Sequence, residues 1–202
     1  HNVLDKLSGI DFAVQREGEQ AMLELVEGKS PKDIIGVVSR DGMGLCNNGD
    51  AAVMPIDDLP FPEREKFYGL TDEEKLMVDV SYICSIRGCP YRCNYCASPF
   101  HWKRDKTQYR SPESVIKEMK LLKEDYWSRY KEYDYSASAN IGKKSSLKIV
   151  DNTIVYFVDD VFTVKKQRVK QILKMMIDQN LGMNWKCEAR TDHLDEEICE
   201  LM

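Results

Sequence analysis

Cys89, Cys93 and Cys96 stand in the run Gly88-Cys89-Pro90-Tyr91-Arg92-Cys93-Asn94-Tyr95-Cys96. A Cys-x-x-x-Cys-x-x-Cys spacing leaves a chain few ways to fold around it, because thiolates this close in sequence must share one tight loop. Such a loop can wrap a corner of an iron–sulfur cube and ligate an iron with each sulfur. Ordinary clusters take four cysteines, so a loop with three leaves one iron without a protein ligand. An open coordination position is what separates a catalytic metal site from a structural one, an argument best known for zinc. The open iron can then bind a substrate or cofactor through nitrogen and oxygen.

A zinc site is the plainer alternative for the same residues, with Cys84 or His101 as the fourth donor. Structural zinc sites usually present two separated ligand pairs, and no second pair follows here. Disulfides are the other alternative, but the chain has seven cysteines, an odd number, and the run is too crowded for orderly pairing. Gly88 and Pro90 shape the loop, and Gly88 lets its backbone approach a cluster closely. Arg87 and Arg92 bring positive charge that would raise the reduction potential of a cluster beside them.

The surrounding chain reads as strand–helix alternation. Met77 to Cys84 is a predicted strand, and the cysteine run leaves its C-terminal end. Ser111-Pro112-Glu113 announces a helix, with Ser as N-cap, Pro in the first turn and an acid near the positive end; Val115, Met119 and Leu122 give it an apolar stripe. Thr153 to Val158 is a second strand. Thr163 is expected to cap the next helix, whose Val169, Ile172, Leu173 and Met176 face inward. Asn184 to Ala189 forms a third strand, and a helix starts after Asp195. This alternation implies a parallel sheet, and the cysteine loop, Asp159-Asp160 and Glu188-Arg190 all fall at C-terminal strand ends, where closed α/β barrels carry their chemistry. Residues 130–148, rich in Lys, Ser, Tyr and Asn, read as a surface insertion. Ahead of all this, Ile10 to Val14, a helix through Ala21 and Leu25, and Ile34 to Val38 read as the tail of a strand–helix–strand unit with a small hairpin. Pro55, Pro60 and Pro62 disfavour both helix and central strand. The expected organisation is therefore residues 1–54 as the remnant of an upstream α/β domain, 55–75 as linker and 76–202 as the cysteine-bearing domain.

Gly88 to Cys96 resembles the signature loop of the radical S-adenosylmethionine (SAM) enzymes, and Arg16 to Gln20, the helix after it and Leu59 to Pro62 resemble the end of the cobalamin-binding domain that precedes some of them. The resemblance implies a partial (β/α) barrel of radical SAM type, truncated at its C-terminal side and preceded by the tail of a cobalamin-binding-like α/β domain. It implies a 4Fe-4S cluster on Cys89, Cys93 and Cys96, whose open iron chelates the amino and carboxylate groups of SAM, and an electron transfer that yields a 5'-deoxyadenosyl radical. The hard chemistry is the cofactor's; the protein supplies position and dryness. Tyr95, before the last cysteine, is implied to pack near the adenine. Asp159 and Asp160 occupy the place where the family often has Gly-Gly-Glu for the SAM amino group, and Asp-Asp-Val-Phe-Thr is similar to a variant of the cobalamin-associated subfamily. In Trp185 to Arg190 the alternation turns Lys186, Glu188 and Arg190 toward the barrel interior. Charge there is costly unless paired or bound. The resemblance implies Glu188 toward the ribose or amino group of SAM and Arg190 toward its carboxylate; a mutual Glu188–Arg190 ion pair is the alternative. Cobalamin is expected as a further cofactor, bound mostly outside this chain.

Composition excludes little. Hydrophobic residues make up 43% of the 202, and the formal net charge of −5 argues against a general nucleic-acid grip. No apolar run approaches the roughly 20 residues of a membrane span. Free cysteines and a reducible cluster point to the cytoplasm, a small-molecule substrate and a reductant such as flavodoxin or ferredoxin. Competing expectations are a methylthiotransferase-type radical SAM enzyme, disfavoured because only Cys46 precedes Cys84, and a non-enzymatic iron–sulfur or zinc module. Cys46, Cys84, Cys187 and Cys199 are expected to be structural, and His101, Trp102, Lys103, Tyr109 and Arg110 to line the mouth of the site.

Overall fold

A computed structural model of the protein describes residues 4, 6, 9–42, 44–63, 80–98, 107–130 and 154–202. The insertion read over 130–148, His101 to Lys103 and most of the 55–75 linker lie outside the described residues. The chain divides into two compact units, His1–Leu59 and Pro60–Met202, with the boundary inside the proline-rich stretch.

The first unit contains strand β1 (Phe12–Val14), helix α1 (Glu19–Val26), strand β2 (Val37–Asp41) and strand β3 (Gly44–Asn47). Its sheet runs β1-β2-β3 with both pairs antiparallel, Phe12 facing Ser39 and Asp41 facing Gly44. The element order is the strand–helix–strand with a hairpin read from the sequence, and the chain after α1 doubles back to run antiparallel to β1. Ala21 of α1 packs with Ile34 and Val37, whereas Met22 and Val26 stay exposed. The side-chain amide of Asn48 donates to the carbonyls of Pro31, Lys32 and Ile34 at 2.8 to 3.1 Å, which ties the approach to β2 onto the end of β3. Gly36 has φ 90° and leaves room for Ala51, since a Cβ there would stand 2.4 Å from the Ala51 Cβ.

The second unit is built on a parallel sheet in the order β4 (Val80–Ile83), β7 (Ile154–Phe157), β8 (Asn184–Cys187). A two-rung antiparallel ladder joins β5 (Ile86–Arg87) to β6 (Gln108–Tyr109), and the helices are α2 (Pro112–Tyr130), α3 (Lys166–Asp178) and α4 (Glu196–Leu201). Register puts Ile83, Phe157 and Cys187 in one row and Tyr82, Tyr156 and Lys186 in the next. Successive strand residues point to opposite faces, so one face carries Ile83, Val155, Phe157, Trp185 and Cys187 into the core. There they meet Val115, Ile116, Met119 and Leu122 of α2, Val169, Ile172 and Leu173 of α3, and Ile198 of α4. The Phe157 ring lies 4.6 Å from Phe162 and meets Trp185 edge-on at 5.9 Å, geometries that favour aromatic pairs. The opposite face shows Tyr82, 53% exposed, with Lys186 and Glu188 also exposed.

The caps follow the sequence in two helices out of three. Ser111 accepts from the Ser114 amide at 3.2 Å at the head of α2, and Asp195 accepts from the Ile198 amide at 3.0 Å at the head of α4. Thr163 does not cap α3, which starts at Lys166 without a side-chain cap; its hydroxyl is engaged elsewhere, with His193 and the Arg190 amide.

Two arginines and a glutamate are buried beneath the C-terminal end of β4. Arg110 pairs with Glu118, both under a tenth exposed, donates to the Cys84 carbonyl at 3.2 Å and takes Phe61 under its guanidinium at 5.1 Å. Arg168 donates to the carbonyls of Ser85 at 3.0 Å and Arg110 at 2.7 Å. Removing one partner of such a pair leaves an uncompensated buried charge. Glu118→Ala is therefore expected to destabilise the protein by about 3–5 kcal/mol, read as a lowered denaturant midpoint; an unchanged midpoint would show that Arg110 finds its compensation elsewhere.

Candidate functional site

The cysteine loop leaves the end of β4, passes through Cys84 and Ser85, and is closed at its base by the β5–β6 ladder and by the Arg110 amide donating to the Ser85 carbonyl at 3.0 Å. Gly88 opens the loop proper with φ 92°, a left-handed conformation that a side chain disfavours. Cys89 is buried and Cys93 and Cys96 half-buried. The Cys96 amide donates to the Cys93 carbonyl at 3.1 Å, making a turn between the last two sulfurs. The Ser98 amide points at the Cys96 sulfur at 3.4 Å. Burial raises the Cys89 thiol; the Tyr91 amide bonded to it opposes the shift, and the charges of Asp160, Cys96 and Cys93 add to it.

Among the described residues no three His, Cys, Asp or Glu side chains gather closely enough to hold a single metal ion. Cys84, offered above as a zinc donor, hydrogen-bonds the Ile86 carbonyl at 3.3 Å. Its thiol is pushed up to about 11, by burial first and then by the Asp159 charge. Cys187 is pushed up to about 11 by the same two causes and packs against the core, with Glu188 adding to the shift. Both behave as small buried hydrophobes.

The second strand end delivers Asp159 and Asp160 to opposite legs of this loop. Asp159 is 1% exposed. Its Oδ1 accepts from the amides of Ser85 at 2.6 Å and Ile86 at 2.8 Å, and its Oδ2 from the Ser85 hydroxyl. Burial raises its pKa against the pull of these donors and of Arg168. The carboxylate expected to reach a cofactor amine is thus turned inward and spent on the entry leg. Asp160 is exposed and accepts from the Ser98 hydroxyl on the exit leg.

The third strand end supplies Glu188 to His193. The Tyr156 hydroxyl donates to Glu188 at 2.9 Å, and Lys186 sits 4.2 Å from the Tyr156 ring centroid. Arg190 makes a two-pronged pair with Asp192 at 2.9 and 3.0 Å and lies 4.3 Å over the Tyr91 ring. The Glu188–Arg190 ion pair weighed above does not form; each group has another partner. His193 is buried between the Tyr91 hydroxyl and Thr163. Tyr95, in contrast, is 93% exposed, and Tyr109 takes the Lys165 ammonium at 3.7 Å. Sequence reasoning missed Ser85, Ser98, Thr163 as a partner of His193, Arg168 and His193 itself. For Ser85 and Thr163 the available signal was a polar residue among apolar neighbours; Arg168 and His193 stand in polar stretches and gave none.

No family model matches the chain. It is 24% identical over 201 residues to an uncharacterized methyltransferase of Pyrococcus horikoshii, covering 96% of this chain and 38% of that protein. It is 23% identical over 209 residues to the anaerobic magnesium-protoporphyrin IX monomethyl ester cyclase of Rubrivivax gelatinosus, covering 96% of this chain and 32% of the relative. The chain thus spans about a third of the length of these curated relatives. Among solved structures it superposes with a TM-score of 0.65 and 19% identity on TsrM of Kitasatospora setae, a radical SAM methyltransferase, over 96% of this chain and 35% of that one. It superposes on the cobalamin-dependent SAM radical enzyme OxsB with a TM-score of 0.64 and 18% identity, over 94% and 25%. In fold, the likeness to these solved enzymes agrees with the resemblance read from the cysteine loop, and the α/β fold is the one shared with them. No helix among the described residues is long and apolar enough to cross a membrane.

The raised thiols make one direct prediction for the metal-free protein. At pH 8 a thiol with a pKa near 11 holds far less thiolate than a free cysteine near 8.5. Cys84 and Cys187 are therefore expected to alkylate at least roughly a hundredfold more slowly than a free thiol, with rates still climbing above pH 9. Peptide-resolved mass spectrometry reads this; rapid labelling of either cysteine below pH 8 would show a thiol more open than its burial implies.

Proposed function

We propose that the protein is a radical SAM enzyme that holds a 4Fe-4S cluster on Cys89, Cys93 and Cys96 and cleaves SAM reductively, for methyl transfer or a related C–H activation. The observation that carries this is the three-cysteine loop itself, closed at its base, standing at the C-terminal end of a parallel strand beside two further polar strand ends. The donor set suits the group: three sulfurs on one loop, one of them facing the Ser98 amide, a contact of the kind that tunes a cluster-bound thiolate. When bound, the cluster supplies an electron to SAM and an open iron for its amino and carboxylate groups.

The chain's own residues then hold the cofactor and keep its geometry. Tyr95 offers a bare ring for the adenine. Asp160, exposed beside the exit leg, accepts from the SAM amine, while Asp159 stays inside and fixes the entry leg. Glu188 and Arg190 meet the ribose and the carboxylate; Arg190 gives up part of its contact with Asp192 to do so, a surface exchange worth only about 0–1 kcal/mol. Methylation is the favoured chemistry because the Pyrococcus relative is named a methyltransferase and TsrM is one. Cobalamin is carried forward because OxsB and TsrM are solved with it. The sheet, on this reading, is part of a (β/α) barrel, the substrate is a small molecule, and a low-potential carrier such as flavodoxin or ferredoxin supplies the electron.

Anaerobic reconstitution with iron and sulfide, followed by SAM and a strong reductant, is expected to release 5'-deoxyadenosine. Cys93→Ala should abolish both the cluster absorbance and this product, and Cys199→Ala, at an exposed helical position, should keep both. Equal loss in the two variants, or tetrahedral zinc without inorganic sulfide, would overturn the assignment.

A further inference from the structure

Tyr91 lies between the first two cysteines, yet nothing in its immediate sequence fixes it; its partners come from the far side of the third strand. Its hydroxyl meets Nε2 of His193, and the two rings lie 5.3 Å apart and tilted by 44°. His193 is only 8% exposed, and its other ring nitrogen, Nδ1, lies 3.2 Å from the Thr163 hydroxyl. Thr163 also accepts from the Arg190 amide at 3.4 Å, and the Arg190 guanidinium covers the Tyr91 ring.

We propose that His193 is a positioning residue for the cysteine loop: acting through the Tyr91 hydroxyl, it locks the middle of the loop to the segment Arg190–His193. The physical case rests on where freedom remains. The entry leg is held by Asp159, the exit leg by Asp160 through Ser98, and the base by the β5–β6 ladder. Between those ends the chain turns through Pro90 to Asn94 largely at the surface, and the Tyr91 side chain is its long inward reach. A histidine with both nitrogens engaged cannot rotate without leaving a buried polar group unsatisfied, so it makes a stiff anchor. A stiff anchor on a residue that stands between two proposed ligands is the arrangement by which groups behind a metal ligand set the ligand's orientation. Because Arg190 also presses on Tyr91, the same lock keeps the loop in register with the strand proposed to hold the SAM carboxylate.

The test has two arms, and only the second rests on the proposed function. In the intact metal-free protein, amide hydrogen exchange across Ser85–Ser98 is expected to speed up at least severalfold in His193→Leu and in Tyr91→Phe. His193→Gln, which can still reach the Tyr91 hydroxyl, should stay close to the parent. In the reconstituted protein, the same two variants should lose iron to a ferrous chelator roughly ten- to a hundredfold faster, and the double variant should be no worse than either single one, since both break one contact. Tyr91→Phe removes one oxygen from a half-buried ring and keeps the question open to measurement should His193→Leu fold poorly. Unchanged exchange in both variants, or effects of the two substitutions that multiply, would overturn the proposal. Failure to form any cluster would overturn the radical SAM assignment while the exchange arm still decides the role of His193.

Discussion

A single buried carboxylate holds the handover from sheet to site. Asp159 receives two amides and a hydroxyl from Ser85 and Ile86, at the point where β4 ends and the cysteine loop begins. A peptide turning away from a parallel sheet leaves amides without strand partners, and buried amides must be satisfied. The carbonyls of the same turn are taken by Arg110 and Arg168. Donors and acceptors of one short stretch are thus answered by charged side chains from three other elements, and Glu118 balances one of the arginines. Isolated, each of these charges would be expensive under a hydrophobic core. Together they replace the ladder that the loop has to give up.

This arrangement explains why the loop can be both irregular and fixed. The hydrophobic contacts of Phe157, Phe162 and Trp185 set where the strand ends sit, but apolar packing is non-directional. It does not decide which way a sulfur points. Direction comes from the polar contacts laid over the core: Asp159 and Asp160 on the two legs, and Arg190 and His193 against Tyr91.

Much of the scaffold was legible in the sequence because it depends on local patterns. The β-branched run before Asp159, the Ser111-Pro112-Glu113 start and the spacing of Val169, Ile172, Leu173 and Met176 state their structures without reference to the rest of the chain. The cysteine spacing was legible for the same reason. What escaped reading depends on distant partners. Asp159 as a cofactor contact was a sound inference from its place at a strand end, but Ser85 lies far away in sequence and took it inward. Thr163 has the composition of a helix cap, and His193 drew its hydroxyl away. The direction of the first two strands was not read at all, and the chain returns antiparallel against β1. A pattern of side chains does not report the direction in which a short connection turns.

The sheet of the second unit is two-sided in a useful way. One side is sealed by helices; the other shows Tyr82, Tyr156 and Lys186 in one row across three strands. Substitutions on the sealed side register first as lost stability, and substitutions on the open side do not disturb the packing beneath. Change can therefore accumulate along the open row while the sealed side keeps the fold.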